Sequence, residues 1–354
     1  MVIVRAPFRI SFGGGGTDLA AYYNRFGGFV ISAAITHYCY VVADQSPEGG
    51  IHINSADYRV HEAYTRGEVP VVKGKLALAK AAIAYFANHG LLERGVNLFL
   101  ASEVLPGTGL GSSSAMTVAL VQALATHLSM PIRAIEAAEL ACKLEIEHLG
   151  MPIGKQDHYA SACGGLNVIE FTASGVDVTP VDLPADVITS LSSRLLLFST
   201  GQTHNSAAIL RQQQADTQNK SRTIESLHRI KALAKNMREA LIDEDLDHFG
   251  QLLDLSWREK RSLSKKISTA TIDHYYNAAR KAGALGGKIV GAGGGGYLLL
   301  YCSTHCQQAV RETMTRFGLR EITFDFDFAG ARVLAVHEPE IYVEPQIRQQ
   351  VRGE

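Results

Sequence analysis

Residues 106 to 115 read Pro-Gly-Thr-Gly-Leu-Gly-Ser-Ser-Ser-Ala, and Met116 to Leu124 after them have the composition of a helix body. This stretch limits the fold more than any other. A tight turn needs one glycine and an N-cap needs one serine. The surplus predicts a backbone that runs close to another group and then enters a helix with its first N–H groups free. Such a helix start binds anions, helped by the partial positive charge of its terminus. A loop closed by an over-supplied serine cap is the competing reading. The two common nucleotide signatures are absent. A Walker A loop needs lysine where Gly111 stands, and the dinucleotide fingerprint needs glycine where Ser112 stands. No acidic residue follows between Ser113 and His127 to hold a ribose.

Three further blocks bear on that choice. Arg9 precedes Gly13-Gly14-Gly15-Gly16-Thr17-Asp18. An arginine one strand away from a glycine turn and an aspartate can hold an anion and a polyol together. A surface arginine beside a capping aspartate is the plain alternative. Glu145 ends a helical stretch, and Gly154-Lys155-Gln156-Asp157 follows Pro152. Taken singly, such acidic residues are solvated. Lys288 leads into Gly291-Ala292-Gly293-Gly294-Gly295-Gly296, five glycines in six positions. A hairpin does not need them; backbone in close contact with a ligand or another loop does.

The chain has 354 residues, 46 % hydrophobic and 19 % charged, with a formal net charge of −1. Two soluble domains are expected, 1–188 and 189–354. The balanced charge gives no support for a nucleic-acid or membrane surface. The five cysteines contain no C-x-x-C pair, so reduced thiols in a cytoplasmic protein are expected. The start, with Arg5 and Arg9, lacks the apolar run of a secretion signal. Pro7 predicts two short strands, Val2–Val4 and Phe8–Phe12, rather than one. Ile132–Leu149 predicts one long helix. Residues 205–282 predict helices with breaks near Gly250 and Lys265, their charges on solvated faces. His158 is either a hydrogen-bonding neighbour of Asp157 or a packed histidine, and Trp257 and Arg258 are assigned no chemistry. Hairpins mixed with helices, without an even βαβ rhythm, give the fold class α+β.

Together the blocks resemble the GHMP family of small-molecule kinases. Ala6-Pro7-Phe8-Arg9 through Thr17-Asp18 matches the first motif, residues 106–115 the second, and Lys288 through Gly296 the third. RISFGGGGTDL, GKQDHYASACGG and GKIVGAGGGG look most like the heptose 7-phosphate kinase branch. The resemblance implies a two-domain fold: an N-terminal domain like the second domain of ribosomal protein S5 and a ferredoxin-like C-terminal domain. It also implies ATP and Mg²⁺ between the domains, and transfer of the γ-phosphoryl group to the anomeric hydroxyl of D-glycero-D-manno-heptose 7-phosphate. The partners implied are ATP and a sugar phosphate, with no nucleic acid and no membrane; a homodimer stays open. Asp157 would be the base or orienting group for the acceptor hydroxyl, and Arg9 its basic partner, which also stabilises the transferring phosphoryl. Pro106, Gly107, Thr108, Gly109, Leu110, Gly111, Ser112, Ser113 and Ser114 would hold the ATP phosphates. Glu145 and Ser112 would bind Mg²⁺, although the extra serine leaves Ser112 and Ser113 both open for the metal. Gly16, Thr17, Asp18, Lys155 and Gly293, Gly294 and Gly295 would contact the acceptor. For the acceptor's own phosphate, Lys155, Lys288, Arg211 and Lys75 are the candidates, Lys155 first because it neighbours Asp157. The alternatives are an anomeric kinase for an unphosphorylated sugar such as L-fucose, an inactive nucleotide-binding regulator, and an oligomeric structural protein.

Overall fold

The structure is a computed structural model that describes residues 1–105, 107–130, 132–202 and 206–337. Two sheets organise it. The larger contains β1 (Val2–Gly13), β2 (Gly28–Asp44), β3 (Ile51–Ser55), β4 (Val60–Tyr64), β5 (Val96–Ser102), β6 (Leu166–Phe171) and β7 (Val176–Pro180). The smaller contains β8 (Leu195–Ser199), β9 (Gly286–Ile289), β10 (Tyr297–Tyr301) and β11 (Arg320–Ile322), in the order β11-β8-β10-β9. The last strand, β12 (Arg332–Val336), returns to the larger sheet and pairs with β1. The expected boundary at 188/189 falls inside the helix Ala185–Ser193, between β7 and β8.

Strand β2 is long enough for two neighbours on one edge. Its first half pairs with β6 and its second half with β5, while β1 runs along the other edge. All pairings in the larger sheet are antiparallel except β3 with β5. Pro7 does not split β1, contrary to the sequence expectation. The register against β2 shifts between Pro7 and Phe8, and an irregularity of that kind accommodates a residue with no N–H.

From Ala6 to Gly13, β1 is buried on both faces, so its pattern is continuous rather than alternating. The helix Ser112–His127 packs on β1 and β2 and is flanked by the helices Ala77–Phe86, Ala134–Cys142 and Gln156–Cys163. Its buried residues, among them Val118, Ala119, Leu120, Val121 and Leu124, run round its circumference, as a helix enclosed on all sides requires. The helices Ser221–Ile242 and Leu246–Leu263 also contact β1 and pack tightly on each other. Phe12 ties these parts together: it is fully buried and meets Phe249 and Phe326 edge-on at 5.4 and 6.4 Å between centroids. The single long helix expected over Ile132–Leu149 is a regular helix, Ala134–Cys142, that widens into π-type turns over Lys143–His148.

The break expected at Gly250 does not occur. Gly250 lies inside the helix Leu246–Leu263; the helices break at Lys220, at Asp243–Asp245 and after Leu263, the last as expected near Lys265. Its glycine serves packing. A Cβ there would stand 2.4 Å from the Tyr301 ring, and one on Gly286 would stand 1.9 Å from the Gly250 carbonyl oxygen. The helix therefore meets β9 at backbone distance and lies directly against the Tyr301 ring of β10. Ten residues on, about 15 Å along the axis, the same helix presents Lys260.

Gly250→Ala is expected to lower stability by about 1–3 kcal/mol, although alanine gains about 1 kcal/mol in helix propensity. The Tyr301 ring is fully buried beside Phe249 and has nowhere to move. Urea unfolding checks this: the midpoint falls at unchanged slope, and an equal or higher midpoint contradicts the packing argument.

Candidate active site

The second glycine motif folds into a loop between β5 and the helix Ser112–His127. Pro106 lies outside the described residues. Leu110 is fully buried and pins the loop, while Thr108 closes it with a hydroxyl bond to the Leu105 carbonyl at 2.8 Å. Gly109 has a positive φ of 92°, and a Cβ there would lie 2.4 Å from the Val290 carbonyl oxygen. From the other side, a Cβ on Gly291 would lie 2.6 Å from the Gly109 Cα. The two glycine-rich loops thus pack backbone against backbone. Helix bonding begins with Ala115 N–H to Gly111 O, and no side chain caps the start. The N–H groups of Ser112, Ser113 and Ser114 therefore have no acceptor within the helix.

Arg9 on β1 joins this loop to the helix Gln156–Cys163. Its Nε donates to Asp157 Oδ1 at 2.6 Å and its Nη2 to Asp157 Oδ2 at 2.5 Å. Its Nη1 donates to the Gly109 carbonyl at 2.6 Å, and its backbone N–H to the Leu110 carbonyl at 3.1 Å. The fork of a guanidinium matches a carboxylate with two parallel bonds. Arg9 is buried, while the Asp157 side chain keeps 21 % exposure on the cavity side.

Glu145 lies behind the start of the Ser112–His127 helix and is fully buried. It accepts from the hydroxyls of Thr117, Ser113 and Ser114, the two serine bonds at 3.4 Å, and His158 Nε2 stands 3.5 Å away. Ser112 makes no hydrogen bond to Glu145; it lines the cavity in front. His158 is thus a buried neighbour of Glu145, not a cavity residue.

Two cavities meet at the Arg9–Asp157 pair. One, of about 510 Å³, includes Gly107, Gly109, Gly111, Ser112 and Ser113 at one end and Tyr58, Leu76, Leu78, Leu100 and Met116 at the other. The second, of about 80 Å³, is more polar and is lined by Ser11, Gly15, Gly16, Asp18, Gln156, Gln213 and Lys260. Arg9, Ile153, Asp157, Leu210, Gly291 and Ala292 line both. Asp18 is buried and accepts from Gly16 N at 2.9 Å, Gln156 N at 3.3 Å and Gln156 Nε2 at 2.9 Å. Burial, then the charge of Asp157, raises its pKa.

Lys260 donates to the Gly291 carbonyl, and Lys288 donates to the carbonyls of Ser11 and Phe12 at 2.6 and 3.1 Å. Burial, then the Arg9 charge, pulls Lys260 down to about 8. Burial, then the charges of Lys260 and Arg9, lowers Lys288 well below the usual lysine range. Both folded values lie below that of an unfolded lysine, so the two ammonium groups subtract stability at neutral pH. The part due to Lys260 is relieved as pH rises from about 8 toward 10.5.

Arg9, Asp157, Asp18, Gly16 and the described loop residues Gly107, Gly109, Gly111, Ser112 and Ser113 therefore come together at the two cavities. Other expected residues stand back. Thr17 is buried and holds the turn through Gly14 O at 2.7 Å and Phe29 O at 3.0 Å. Lys155 places its ammonium 5.3 Å from the Tyr23 ring centroid and lines neither cavity. Gly293 and Gly295 lie against Ile267 and Gln202, and Gly294 N bonds the Ile267 carbonyl at 2.8 Å; Gly291 and Ala292 reach the cavities instead. Sequence reading missed Ser11, Gln213 and Lys260, and gave no role to Gln156 in the block that holds Asp157. Ser11 could have been found from period-two spacing, since it shares a face of β1 with Arg9. Lys260 could not, because it sits among the charges of a helix that reads as solvated.

Among the described residues, no group of three or more His, Cys, Asp or Glu could hold a metal alone, and no helix is long and apolar enough to cross a membrane. The family model for the GHMP kinases N terminal domain matches residues 77–165, and that for the GHMP kinases C terminal region matches 237–318. A D-glycero-alpha-D-manno-heptose 7-phosphate kinase from Campylobacter jejuni is 32 % identical over 302 residues, 84 % of this chain and 88 % of that protein. The crystal structure of a D-glycero-D-manno-heptose 1-phosphate kinase from Bacteroides thetaiotaomicron has a TM-score of 0.80 at 27 % identity, covering 96 % of this chain and 100 % of that one. A putative sugar kinase from Campylobacter jejuni has a TM-score of 0.78 at 29 % identity, covering 95 % and 98 %. On these grounds the chain belongs to the GHMP kinase family of ATP-dependent phosphotransferases.

Proposed function

We propose that this enzyme transfers the γ-phosphoryl group of ATP to the anomeric hydroxyl of D-glycero-D-manno-heptose 7-phosphate. The product is the 1,7-bisphosphate, an intermediate toward nucleotide-activated heptose. The observation that carries the reading is the Arg9–Asp157 pair at the wall shared by the two cavities. The name of the Campylobacter jejuni relative supports the choice of acceptor.

The larger cavity suits ATP. Its apolar end can take a flat base, and its other end carries the glycine loop and the uncapped helix start, which suit phosphates. The smaller cavity suits a polyol, because Asp18, Gln156, Gln213 and Ser11 offer both donors and acceptors. Mg²⁺ is a hard cation that takes oxygen ligands; the Ser112 and Ser113 hydroxyls line the cavity, and Glu145, buried behind them and bonded to Ser113, is the carboxylate that would hold it with one of them. When bound, the ion supplies neutralisation of charge on the phosphate oxygens.

The remaining work falls to side chains of this chain. Each Asp157 oxygen accepts one bond from Arg9 and keeps capacity for another, so the carboxylate can receive a proton from a hydroxyl in the acceptor cavity. Arg9 fixes the carboxylate, ties it to Gly109, and sets positive charge beside the path of the transferred group. Phosphoryl transfer is limited by alignment and charge stabilisation, which is what this arrangement offers.

A screen of ATP consumption against heptose 7-phosphate, mannose 6-phosphate, free heptose, fucose and galactose tests the reading, with phosphorus NMR of the product. Heptose 7-phosphate turns over best and gains phosphate at O1; a new phosphate elsewhere overturns the reading. Asp157→Asn is expected to lower kcat by about 10²–10⁴-fold, while ATP affinity in calorimetry stays within about threefold of wild type. An unchanged kcat sinks the role of Asp157. Gly109→Ala forces a side chain into a positive φ and onto the Val290 carbonyl. Its expected effect is at least about a tenfold loss of ATP affinity, and unaltered affinity would remove the loop from nucleotide binding.

A further inference from the structure

Lys260 is a buried cation that the reaction described so far leaves without a task. An ammonium carries three donors, and that of Lys260 makes one hydrogen bond, to the Gly291 carbonyl. No ion pair reaches it among the described residues. Its neighbours make the imbalance plain. Arg9 is matched by Asp157, and Lys288 is spent on two backbone carbonyls. Asp18 is occupied by Gly16 and Gln156 and makes no hydrogen bond to Lys260. The carboxylates of Asp18 and Asp157 act on Lys260 only from a distance; an enclosed ammonium with no ion-paired partner is costly, and a bound anion would offset that cost.

The space around Lys260 is a built site. A Cβ placed on Gly15 would stand 3.7 Å from Gln156 Nε2, 3.7 Å from Ser11 Oγ and 3.9 Å from Lys260 Nζ. Three polar atoms therefore converge around one point above Gly15. Ser11 Oγ, Gln156 Oε1 and Gln213 Nε2 have no hydrogen-bond partner, and Ser11 and Gln213 are 4 % and 7 % exposed. The convergence lies beside Ser11, two residues along β1 from Arg9 on the same face, or about 6–7 Å away. That span is comparable to the width of a sugar ring.

We propose that Lys260, with Ser11 and Gln213, binds a phosphate carried by the acceptor sugar, at the end remote from the hydroxyl that Asp157 receives. Lys260 is then the residue that makes a phosphorylated sugar the preferred acceptor. This rests on the kinase reading above and replaces Lys155 as the expected contact to that phosphate.

The experiment compares wild type, Lys260→Met, Lys260→Arg and Gly15→Ala on heptose 7-phosphate against heptose, and mannose 6-phosphate against mannose. In Lys260→Met, KM for the phosphorylated acceptor is expected to rise about 30-fold, while KM for its unphosphorylated counterpart moves by less than about threefold. Lys260→Arg recovers part of the preference. In Gly15→Ala the added methyl meets its neighbours at ordinary contact distances, so the fold is kept while the space is filled. The same selective rise in KM is expected, and this variant decides the matter if Lys260→Met does not fold. In wild type, KM for the phosphorylated acceptor rises as pH passes about 8, because the neutral amine loses the phosphate. The groups facing Lys260 are Arg9 and Asp18 on either side of the first glycine turn, Asp157 on its helix and Lys288 on β9. The rise disappears in Lys260→Met. Retained preference for the phosphorylated sugar in both Lys260→Met and Gly15→Ala overturns the proposal and leaves the kinase reading standing. An equal fall in kcat for both acceptors at constant KM also overturns it, since that places Lys260 on the transferred phosphoryl group. Wild-type activity on neutral sugars alone overturns this proposal together with the heptose phosphate reading.

Discussion

One guanidinium holds the site together. Arg9 grips both oxygens of Asp157 and the carbonyl of Gly109, and its own N–H bonds Leu110. Strand β1, the glycine loop before the helix Ser112–His127, and the helix Gln156–Cys163 therefore meet through a single side chain. A buried ion pair is weak evidence for stability, because desolvation offsets much of its attraction. Its value here is positional. It fixes a carboxylate at the border of a large cavity suited to a nucleotide and a small one suited to a polyol. Removing Asp157 would leave the buried Arg9 charge unmatched, so the pair is also a point of vulnerability.

The second constraint is how closely backbone meets backbone. Gly109 against Gly291 brings the two glycine-rich loops together, and Gly250 against Gly286 brings a helix onto the smaller sheet. These contacts connect the elements around β1 to those around β9 and β10. They set where Gly291 and Ala292 sit in both cavities and where the Leu246–Leu263 helix delivers Lys260. Phe12, packed edge-on to Phe249 and Phe326, locks the same junction from within the core.

What was legible in the sequence follows from the range of each signal. The glycine loop before an apolar helix and the mixed α+β class are written in local patterns, and the structure has them. Arg9, Asp18 and Asp157 were legible only as a set, through the order of motifs. Pro7 was misread because a local rule about proline says nothing of the bulge that relieves it. Gly250 was misread because its cause, the Tyr301 ring, lies fifty-one residues away. Lys260 stayed hidden for a similar reason. Its helix is amphipathic and richly charged, and only tertiary packing shows which charge turns inward. The surplus of glycines from 291 to 296 had two explanations, a ligand or another loop; the contacts to Gly109, Ile267 and Gln202 supply the second.

Asp157 and Arg9 mark the point where acceptor and donor would meet in the proposed reaction. The most direct measurement is a crystal structure of the ternary complex with a non-hydrolysable ATP analogue, Mg²⁺ and heptose 7-phosphate. The account predicts the anomeric oxygen within hydrogen-bond distance of an Asp157 oxygen and in line with the γ-phosphorus. A sugar whose anomeric oxygen lies away from Asp157, with another hydroxyl facing the γ-phosphate, would contradict it.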